Sequence, residues 1–358
     1  MGPIGSEVAL RISLDRLASV PFRAAVLGLG RMVALGMAAG GGLLLWLIVL
    51  ADAWPALDVL SPLGPHAMAG TAVAVAAYLA NRYAWLVLSS GLVVIALVLA
   101  QPASWPDGAG IAAPMAQADA SVSEPRLAVL QINTWHGNRD LDGLVGFLEA
   151  SDADVVVLAE FGPSKQHLVG RLARSYPHVA GCPEYWPCSQ LLLSRRPFAA
   201  SGARAPDASG PPYVWARFED TAGGSPVTVV GTHLYRPSRS HRLHERQLAG
   251  LIRFLASVEG ELILAGDLNM TEWSRSYERL LAATGLVASS LRLPTWPAWP
   301  LTLPQFQIDH LLVSGGLRIE RQGRGPYVGS DHLPLHTVLR LSRDTPRIAA
   351  RRALRATR

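Results

Sequence analysis

The chain has 358 residues, half of them hydrophobic and only 16% charged, with a mean hydropathy of +0.24. This excludes a disordered polyelectrolyte, which cannot bury enough apolar surface to offset its ordering entropy, and leaves more apolar material than one soluble core requires. The net charge of +5 sits at the ends: residues 1–31 carry +2 and residues 341–358 carry +5, leaving −2 for residues 32–340. A domain that grips nucleic acid presents a basic surface, so that partner is disfavoured.

Met32–Ala51 is a run without charge that includes Gly42-Leu-Leu-Leu-Trp-Leu-Ile-Val-Leu50. It is long enough to cross a hydrocarbon layer of ~30 Å as a helix, and too long for the apolar core of a cleaved signal peptide. Two further apolar segments follow, 66–81 and 83–100, with Arg82 between them, so the reading is a transmembrane region over 32–100 with about three spans. Positive charge marks the cytoplasmic side. Four Arg precede the first span, whereas the loop 52–65 holds Asp52 and Asp58 and no basic residue. The expected arrangement is a cytoplasmic basic N-terminus over 1–31, a multi-pass anchor in the cell membrane, and everything after Ala100 outside the cytoplasm.

Residues 101–124 are rich in Ala, Pro, Gly and Ser without periodicity and read as a linker. From 125 to 341 short apolar runs alternate with amphipathic stretches. Strands are predicted at 126–134, 154–160, 190–194, 214–218, 227–233, 262–267, 308–313 and 336–341, and helices at 139–150, 164–175, 240–257 and 274–284. Val155-Val-Val-Leu158 and Leu262-Ile-Leu-Ala265 are apolar throughout, so both faces of those strands should be covered. A basic tail, 342–358, closes the chain. Cys182 and Cys188 are the only cysteines, and two prolines lie between them. That spacing suits neither zinc nor a C-x-x-C redox pair, and an extracytoplasmic domain permits a disulfide between them.

Polar residues gather where the apolar runs end. Asn133 ends the first, Glu160 the second, His233 closes Val-Val-Gly-Thr-His, and Asp267 and Asn269 close Ile-Leu-Ala-Gly-Asp-Leu-Asn. Asp309 lies in Gln-Ile-Asp-His, and Asp331 and His332 in Gly-Ser-Asp-His-Leu-Pro. Each alone has an ordinary explanation as a turn cap, an ion pair or a surface hydrogen bond. Their joint recurrence at strand ends, where a sheet holds functional groups in fixed geometry, points to one site. Carboxylates without thiolates favour a hard cation, Mg²⁺ or Mn²⁺. No Gly-rich phosphate loop and no G-x-S-x-G nucleophile motif is present. Acids, amides and histidines around such a cation suit attack of water on phosphorus.

The ordered set Asn133, Glu160, Thr-His233-Leu, Gly-Asp267-Leu-Asn269, Ile-Asp309-His and Ser-Asp331-His332 resembles the endonuclease/exonuclease/phosphatase superfamily over 125–341. The resemblance implies a four-layer α/β sandwich of two packed mixed β-sheets. It also implies roles: Glu160 as principal metal ligand with Asn133 beside it, Asp267 orienting and deprotonating the attacking water, and Asn269 on a phosphoryl oxygen. His332 would contact the scissile phosphate, polarised by Asp309. His233 would stabilise the phosphate or the leaving group, and Asp331 would serve as a second metal ligand or supporting acid. Three spans ahead of an outward-facing domain also resemble the membrane phosphatases linked to glycopeptide resistance, which implies a polyprenyl pyrophosphate carrier as substrate.

The resulting expectation is a membrane-anchored, divalent-metal-dependent phosphohydrolase acting on a phosphorylated lipid or another phosphoester, with the bilayer as partner and no protein partner. The alternatives are an anchored extracytoplasmic nuclease and an inactive binding module on the same fold. His136 and Asn138 follow Asn133 closely enough to line its pocket. His241 and His244 fall in the Arg-rich stretch Arg236–Arg246, which reads as a solvated helix face, with phosphate contact as the lesser reading. Trp296 and Trp299, in a Pro-rich loop, are expected to form either a packed lid or a surface for a lipid chain.

Overall fold

The computed structural model describes residues 20–80, 126–181, 188–207, 210–219 and 226–341. By internal contacts the chain divides into Met1–Ala100 and Gln101–Arg358.

In the first unit, helix α1 spans Val20–Val49 and α2 spans Gly64–Ala80, with a 3₁₀ stretch over Pro55–Leu63 between them. α1 is ~45 Å long and begins twelve residues before the expected span, taking Arg23 and Arg31 into the helix. The loop expected over 52–65 is itself largely helical, which lengthens the short second segment into an apolar run over Pro55–Ala76. Two helices are thus long and apolar enough to cross a membrane. The expected third span, 83–100, falls outside the described residues. Leu29, Met32, Leu35, Leu43 and Trp46 stand exposed along α1, whereas a soluble helix would face such residues to a core. α1 and α2 meet at Gly41, where an added Cβ would collide with the side chain of Thr71. A small residue at the contact lets the two helix backbones approach closely.

The second unit holds two mixed sheets. The first contains β1 (Arg126–Asn133), β2 (Val155–Ala159), β3 (His178–Gly181), β4 (Gln190–Ser194), β11 (Leu317–Arg324) and β12 (Leu335–Leu341), in the order β11-β12-β1-β2-β4-β3. The second contains β5 (Ala200–Arg204), β6 (Tyr213–Phe218), β7 (Val227–His233), β8 (Glu261–Asp267), β9 (Val287–Ala288) and β10 (Asp309–Val313), in the order β5-β6-β7-β8-β10-β9. Each sheet has one parallel pair at its centre, β1 with β2 and β7 with β8, flanked by antiparallel neighbours. A parallel pair needs a long crossover, supplied by α3 (Leu141–Ala150) in one sheet and α5 (His241–Ser257) in the other. The layer over the first sheet also includes α4 (Leu168–Leu172), and that over the second includes α6 (Arg275–Thr284).

Period-2 alternation sorts the fully apolar strands into layers. Val129, Val155 and Val157 face Val214, Val229, Ile263 and Ala265 in the core between the sheets. Leu130, Ile132, Val156 and Leu158 face Leu144 and Leu148 of α3 and Leu168 and Leu172 of α4. Val230, Leu262 and Leu264 face Leu248, Leu251 and Leu255 of α5 and Leu280 of α6. The four-layer sandwich follows directly. β3, β5, β9 and β11 escape the hydrophobic pattern because edge and near-edge strands are exposed on one side. β5 reads Ala-Ser-Gly-Ala-Arg and is largely solvent-facing. The helix expected over 164–175 is instead a 3₁₀ turn over Pro163–Lys165 followed by the short α4, because Lys165 turns inward and is buried. Cys188 is disulfide-bonded; its only sequence partner, Cys182, lies outside the described residues.

Candidate active site

Strand direction brings the polar residues to one edge of the sandwich. β1, β2, β7 and β8 deliver the residues at their C-terminal ends. The antiparallel partners β10 and β12 deliver Asp309 at the start of β10 and Asp331 and His332 just before β12. Within the second sheet, Asp267 pairs in register with His233 on one side and Asp309 on the other. Gly266 makes this register possible, since a Cβ there would run into the Thr232 carbonyl oxygen. The Gly of Gly-Asp-Leu-Asn is therefore a packing requirement of the site.

Asn133 joins the two sheets. Its Nδ2 donates to Glu160 Oε1 at 3.1 Å and to Asp267 Oδ2 at 3.0 Å, and its Oδ1 accepts from the Trp135 amide at 2.9 Å. In this orientation the amide bridges the two acids through Nδ2, while Oδ1 accepts one backbone N–H. Glu160 Oε2 accepts from the His136 amide at 2.9 Å and lies 3.0 Å from His136 Nδ1. Burial pushes the Glu160 carboxyl up, but His233 and the hydrogen bonds from His136 and Asn133 outweigh it and hold the group down at about 2. A buried carboxylate thus stays ionised.

Asp267 is fully buried. Its Oδ1 accepts from the Asn269 amide at 2.9 Å, and its Oδ2 lies 3.4 Å from His233 Nε2 and 3.7 Å from His332 Nε2. Burial raises its pKa above the usual carboxylate range against the pull of both histidines. Asn269 commits one amide hydrogen to the Leu234 carbonyl at 2.9 Å.

His332 and Asp309 form a buried dyad. Nδ1 of His332 donates to Asp309 Oδ2 at 2.7 Å, the same oxygen accepts from Thr295 Oγ1 at 2.6 Å, and Asp309 Oδ1 accepts from Gln131 Nε2 at 2.8 Å. Burial alone would lower the His332 pKa; Asp309, then Asp267, overcome it and lift the ring to about 9. At neutral pH the ring is a cation whose Nε2 is buried without a hydrogen-bond partner. An unsatisfied buried donor costs ~1–3 kcal/mol and marks where an acceptor belongs. Asp331 Oδ1 is 3.9 Å away and also buried without a partner, while its Oδ2 accepts from Trp296 Nε1 at 3.4 Å.

All eight site residues expected from the sequence therefore meet at one edge. Ligand atoms of Asp267, Asp309 and His332 lie within 4.8 Å of one another, close enough to hold a metal. Both oxygens of Asp309 are already occupied, however, so this trio is better described as a His–Asp dyad facing a third acid. Glu160 also accepts hydrogen bonds at both oxygens, but it is held ionised and lines the cleft with His233, which makes it the stronger candidate ligand.

Sequence reasoning missed Gln131, Thr295, Ser330 and Lys165. Gln131 shares a strand face with Asn133 two residues on, a signal available from alternation. Ser330 Oγ donates to the Asn133 carbonyl at 2.6 Å and accepts from the His332 amide at 3.1 Å, tying the end of β1 to the segment that enters β12 in the same sheet. Lys165 Nζ donates to the carbonyls of Trp135 at 2.8 Å and Glu160 at 3.2 Å. Those two residues hold left-handed backbone conformations, with φ of 49° and 53°, which cost side-chain-bearing residues free energy and persist where neighbours enforce them. Lys165 is one such neighbour, beside the Asn133 side chain that accepts from the Trp135 amide. Burial lowers the Lys165 pKa to about 8 against the opposing pull of Glu160. In the Pro-rich loop, Trp296 is packed against Phe306, whereas Trp299 remains half exposed with its ring 5.7 Å from that of Trp135.

The Endonuclease/Exonuclease/phosphatase family pattern matches residues 130–332, more than half of the chain. The chain belongs to that family. No curated protein matches it by sequence. Among solved structures, an endonuclease/exonuclease/phosphatase from Beutenbergia cavernae is similar at 20% identity and a TM-score of 0.50, over 61% of this chain and 72% of that one. A family protein from Bacteroides thetaiotaomicron (16%, TM-score 0.50, 62% and 100%) and the human nocturnin catalytic domain (16%, 0.50, 62% and 97%) are similar to the same extent. At these identities the likeness concerns the fold.

Proposed function

We propose that this protein is a membrane-anchored, divalent-metal-dependent phosphohydrolase whose site faces out of the cytoplasm and acts on a phosphorylated lipid. The observation that carries the hydrolase reading is the buried, unpartnered Nε2 of a protonated His332 beside the buried acid Asp267. A cationic donor next to a carboxylate of raised pKa is the pairing that water attack on a phosphoester requires.

A hard cation fits the donor set. Glu160 is a buried carboxylate kept ionised, Asp331 Oδ1 is a buried oxygen without a partner, and no thiolate is present at the site. Glu160 would hold Mg²⁺ or Mn²⁺, aligned by Asn133 and His136, with Asp331 as a second acid. The bound ion would polarise a phosphoryl oxygen and neutralise charge developing on it. Asp267, fixed by Asn133 and by the Asn269 amide, orients the attacking water and takes its proton. His332 donates from Nε2 to a phosphoryl oxygen while Asp309 keeps its Nδ1 proton in place. His233, 3.4 Å from Asp267 and 21% exposed, stands where it can steady the phosphate or protonate the leaving group.

Support for a membrane substrate comes from the two apolar N-terminal helices, the basic tail, and the exposed side chains of Trp299, Leu301 and Leu303 on the loop that contacts the site through Trp296. Tethering by a linker raises the effective concentration of such a site at a bilayer. Purified full-length protein should release phosphate from a long-chain isoprenyl or acyl phosphate faster than from its soluble headgroup, only with Mg²⁺ or Mn²⁺. Cleavage of DNA or RNA without lipid-phosphate turnover would instead establish the nuclease reading.

A further inference from the structure

Three side-chain amides turn into the layer between the sheets at the edge that carries the site. On β1, Leu127 and Val129 pack in that layer, so alternation puts Gln131 and Asn133 there too. On β4, Leu191 and Leu193 pack toward the helices and Leu192 packs between the sheets, which turns Gln190 into the same layer. Gln131 and Asn133 are engaged, Gln131 donating to Asp309 and Asn133 to Glu160 and Asp267. Gln190 is not. It is 1% exposed, its Oε1 is buried without a hydrogen-bond partner, and its Nε2 has none among the described residues. A buried amide that bonds nothing costs stability that an apolar side chain would not. Gln131 Oε1 is also buried without a partner, but of the two only Gln190 lines the cleft beside the site.

The backbone around Gln190 fixes where its amide sits. Gln190 pairs in register with Ala159, the residue before Glu160. The Ser189 carbonyl accepts from the amide of Phe161, the residue after Glu160, at 3.0 Å, and Cys188 is disulfide-bonded. Gln190 and Glu160 line one cleft of about 320 Å³ with His233, Leu234, Pro206 and Pro212. The side of the cleft formed by Leu234 and Tyr235 is equally fixed. The Leu234 amide donates to the Asp267 carbonyl at 3.0 Å, the Tyr235 amide donates to Gln247 Oε1 at 2.7 Å, and the Tyr235 carbonyl accepts from His244 Nδ1 at 2.8 Å. His244 and Gln247 are buried on the inner face of α5, so His244 supports this wall and does not belong to a solvated helix face.

We propose that Gln190 is a specificity-determining residue, whose amide hydrogen-bonds a hydroxyl on the alcohol esterified to the scissile phosphate. Glu160 and His233 hold the phosphate end of the cleft, and Gln190, one register step from Glu160, lies within reach of the first few carbons of that alcohol. A hydroxyl is the neutral group that suits an amide from either end, donating to Oε1 or accepting from Nε2. A plain alkyl chain would leave the amide unsatisfied. Pro206, Pro212 and Leu234 offer carbon surface to the skeleton that carries the hydroxyl. The cleft lies at the small end of ligand sites, ~300–1,000 Å³, which suits a short polyol and not a bulky group. A site built to bond a hydroxyl rejects the analogue that lacks it, because its own buried polar group is then left unpaired. The inference rests on the phosphohydrolase reading for the position of the phosphate, but its binding test needs no turnover.

The test is calorimetry of 2,3-dihydroxypropylphosphonate and propylphosphonate, whose P–C bond resists hydrolysis, with the full-length chain in detergent at fixed Mg²⁺. Wild type should bind the dihydroxy compound about tenfold more tightly, the scale of one hydrogen bond to a buried group. In Gln190→Met the two should differ by less than about twofold, with a thermal midpoint at or above wild type because an unsatisfied amide is removed. Equal affinities in wild type overturn the proposal, as does failure of either phosphonate to bind. A preference that survives in Gln190→Met also overturns it, and so does an equal loss of both compounds. If neither Gln190→Met nor Gln190→Leu folds, the amide is structural and the proposal falls. Kinetics then separate the sources of the hydroxyl: lysophosphatidic acid in micelles and soluble glycerol 1-phosphate are compared for the Gln190 dependence of kcat/KM, and dependence with either supports the assignment. If phosphonate preference depends on Gln190 but no phosphoester is turned over, the hydrolase reading fails and the hydroxyl site stands. If glycerol 1-phosphate and propyl phosphate are hydrolysed alike and the phosphonates bind alike, Gln190 fails alone.

Discussion

Replacing Asp309 by Asn isolates what its charge does for His332. The substitution is nearly isosteric, Gln131 Nε2 keeps an oxygen to donate to, and the Thr295 hydroxyl can rotate to accept from the new amide. What disappears is an anion whose Oδ2 lies 2.7 Å from Nδ1. An opposite charge at such range supports a titrating group by ~1–3 pKa units, so the ring should fall from about 9 toward ~6–8. Losing His332 protonation with a two-unit shift cuts the active fraction about tenfold at pH 8, and little at pH 6. The linkage sign follows the raised pKa. In the wild type the His332–Asp309 contribution to stability is fully present below the unfolded value of ~6.5 and is lost as pH rises through about 9. In Asp309→Asn that contribution should be absent throughout, but the penalty should stay below the ~3–5 kcal/mol of a broken buried pair, because the imidazolium can shed its proton. The assay is kcat/KM for phosphate release between pH 6 and 10. A wild-type basic limb near pH 9 should move to lower pH in the variant. A limb that stays put, with only a uniform drop in rate, would show that His332 does not act as the protonated donor.

Asp267→Asn should lower turnover ~10²–10⁴-fold, as expected for a lost positioned acid–base group, with a thermal midpoint at or above wild type since a buried acid of raised pKa is removed; calorimetry and phosphate release together check this. Lys165→Met should preserve the fold yet weaken Mn²⁺ binding ~10–100-fold, the scale of losing a supporting group, because the left-handed turns at Trp135 and Glu160 lose their shared donor; Mn²⁺ titration by paramagnetic resonance reads it without substrate, and unchanged affinity counts against the bracing role. Chelation should abolish phosphate release and Mg²⁺ or Mn²⁺ should restore it, whereas Glu160→Gln should raise the Mg²⁺ needed for half-maximal rate by at least ~10-fold. A reporter fused after Arg358 should be active only if it functions outside the cytoplasm, as the Arg distribution before Met32 dictates; an inside-only signal would mean an even number of spans.

Much of this protein is legible in one dimension. Apolar runs long enough for lipid, strands apolar on both faces, and acids placed where those strands stop are properties of composition and period, so the central strands and the eight polar residues that meet at their ends were legible in the sequence. Edge strands were not legible, because β5 and β9 face solvent and carry no hydrophobic pattern. Tertiary structure alone decided partnership. The direction of the Asn133 amide and the inward turn of Lys165 depend on atoms brought together from across 5 to 134 residues of chain. Hydrophobic period dictates which face of an element is buried, whereas hydrogen-bond direction and charge pairing are set by distances of a few tenths of an ångström that only the packed sheets define.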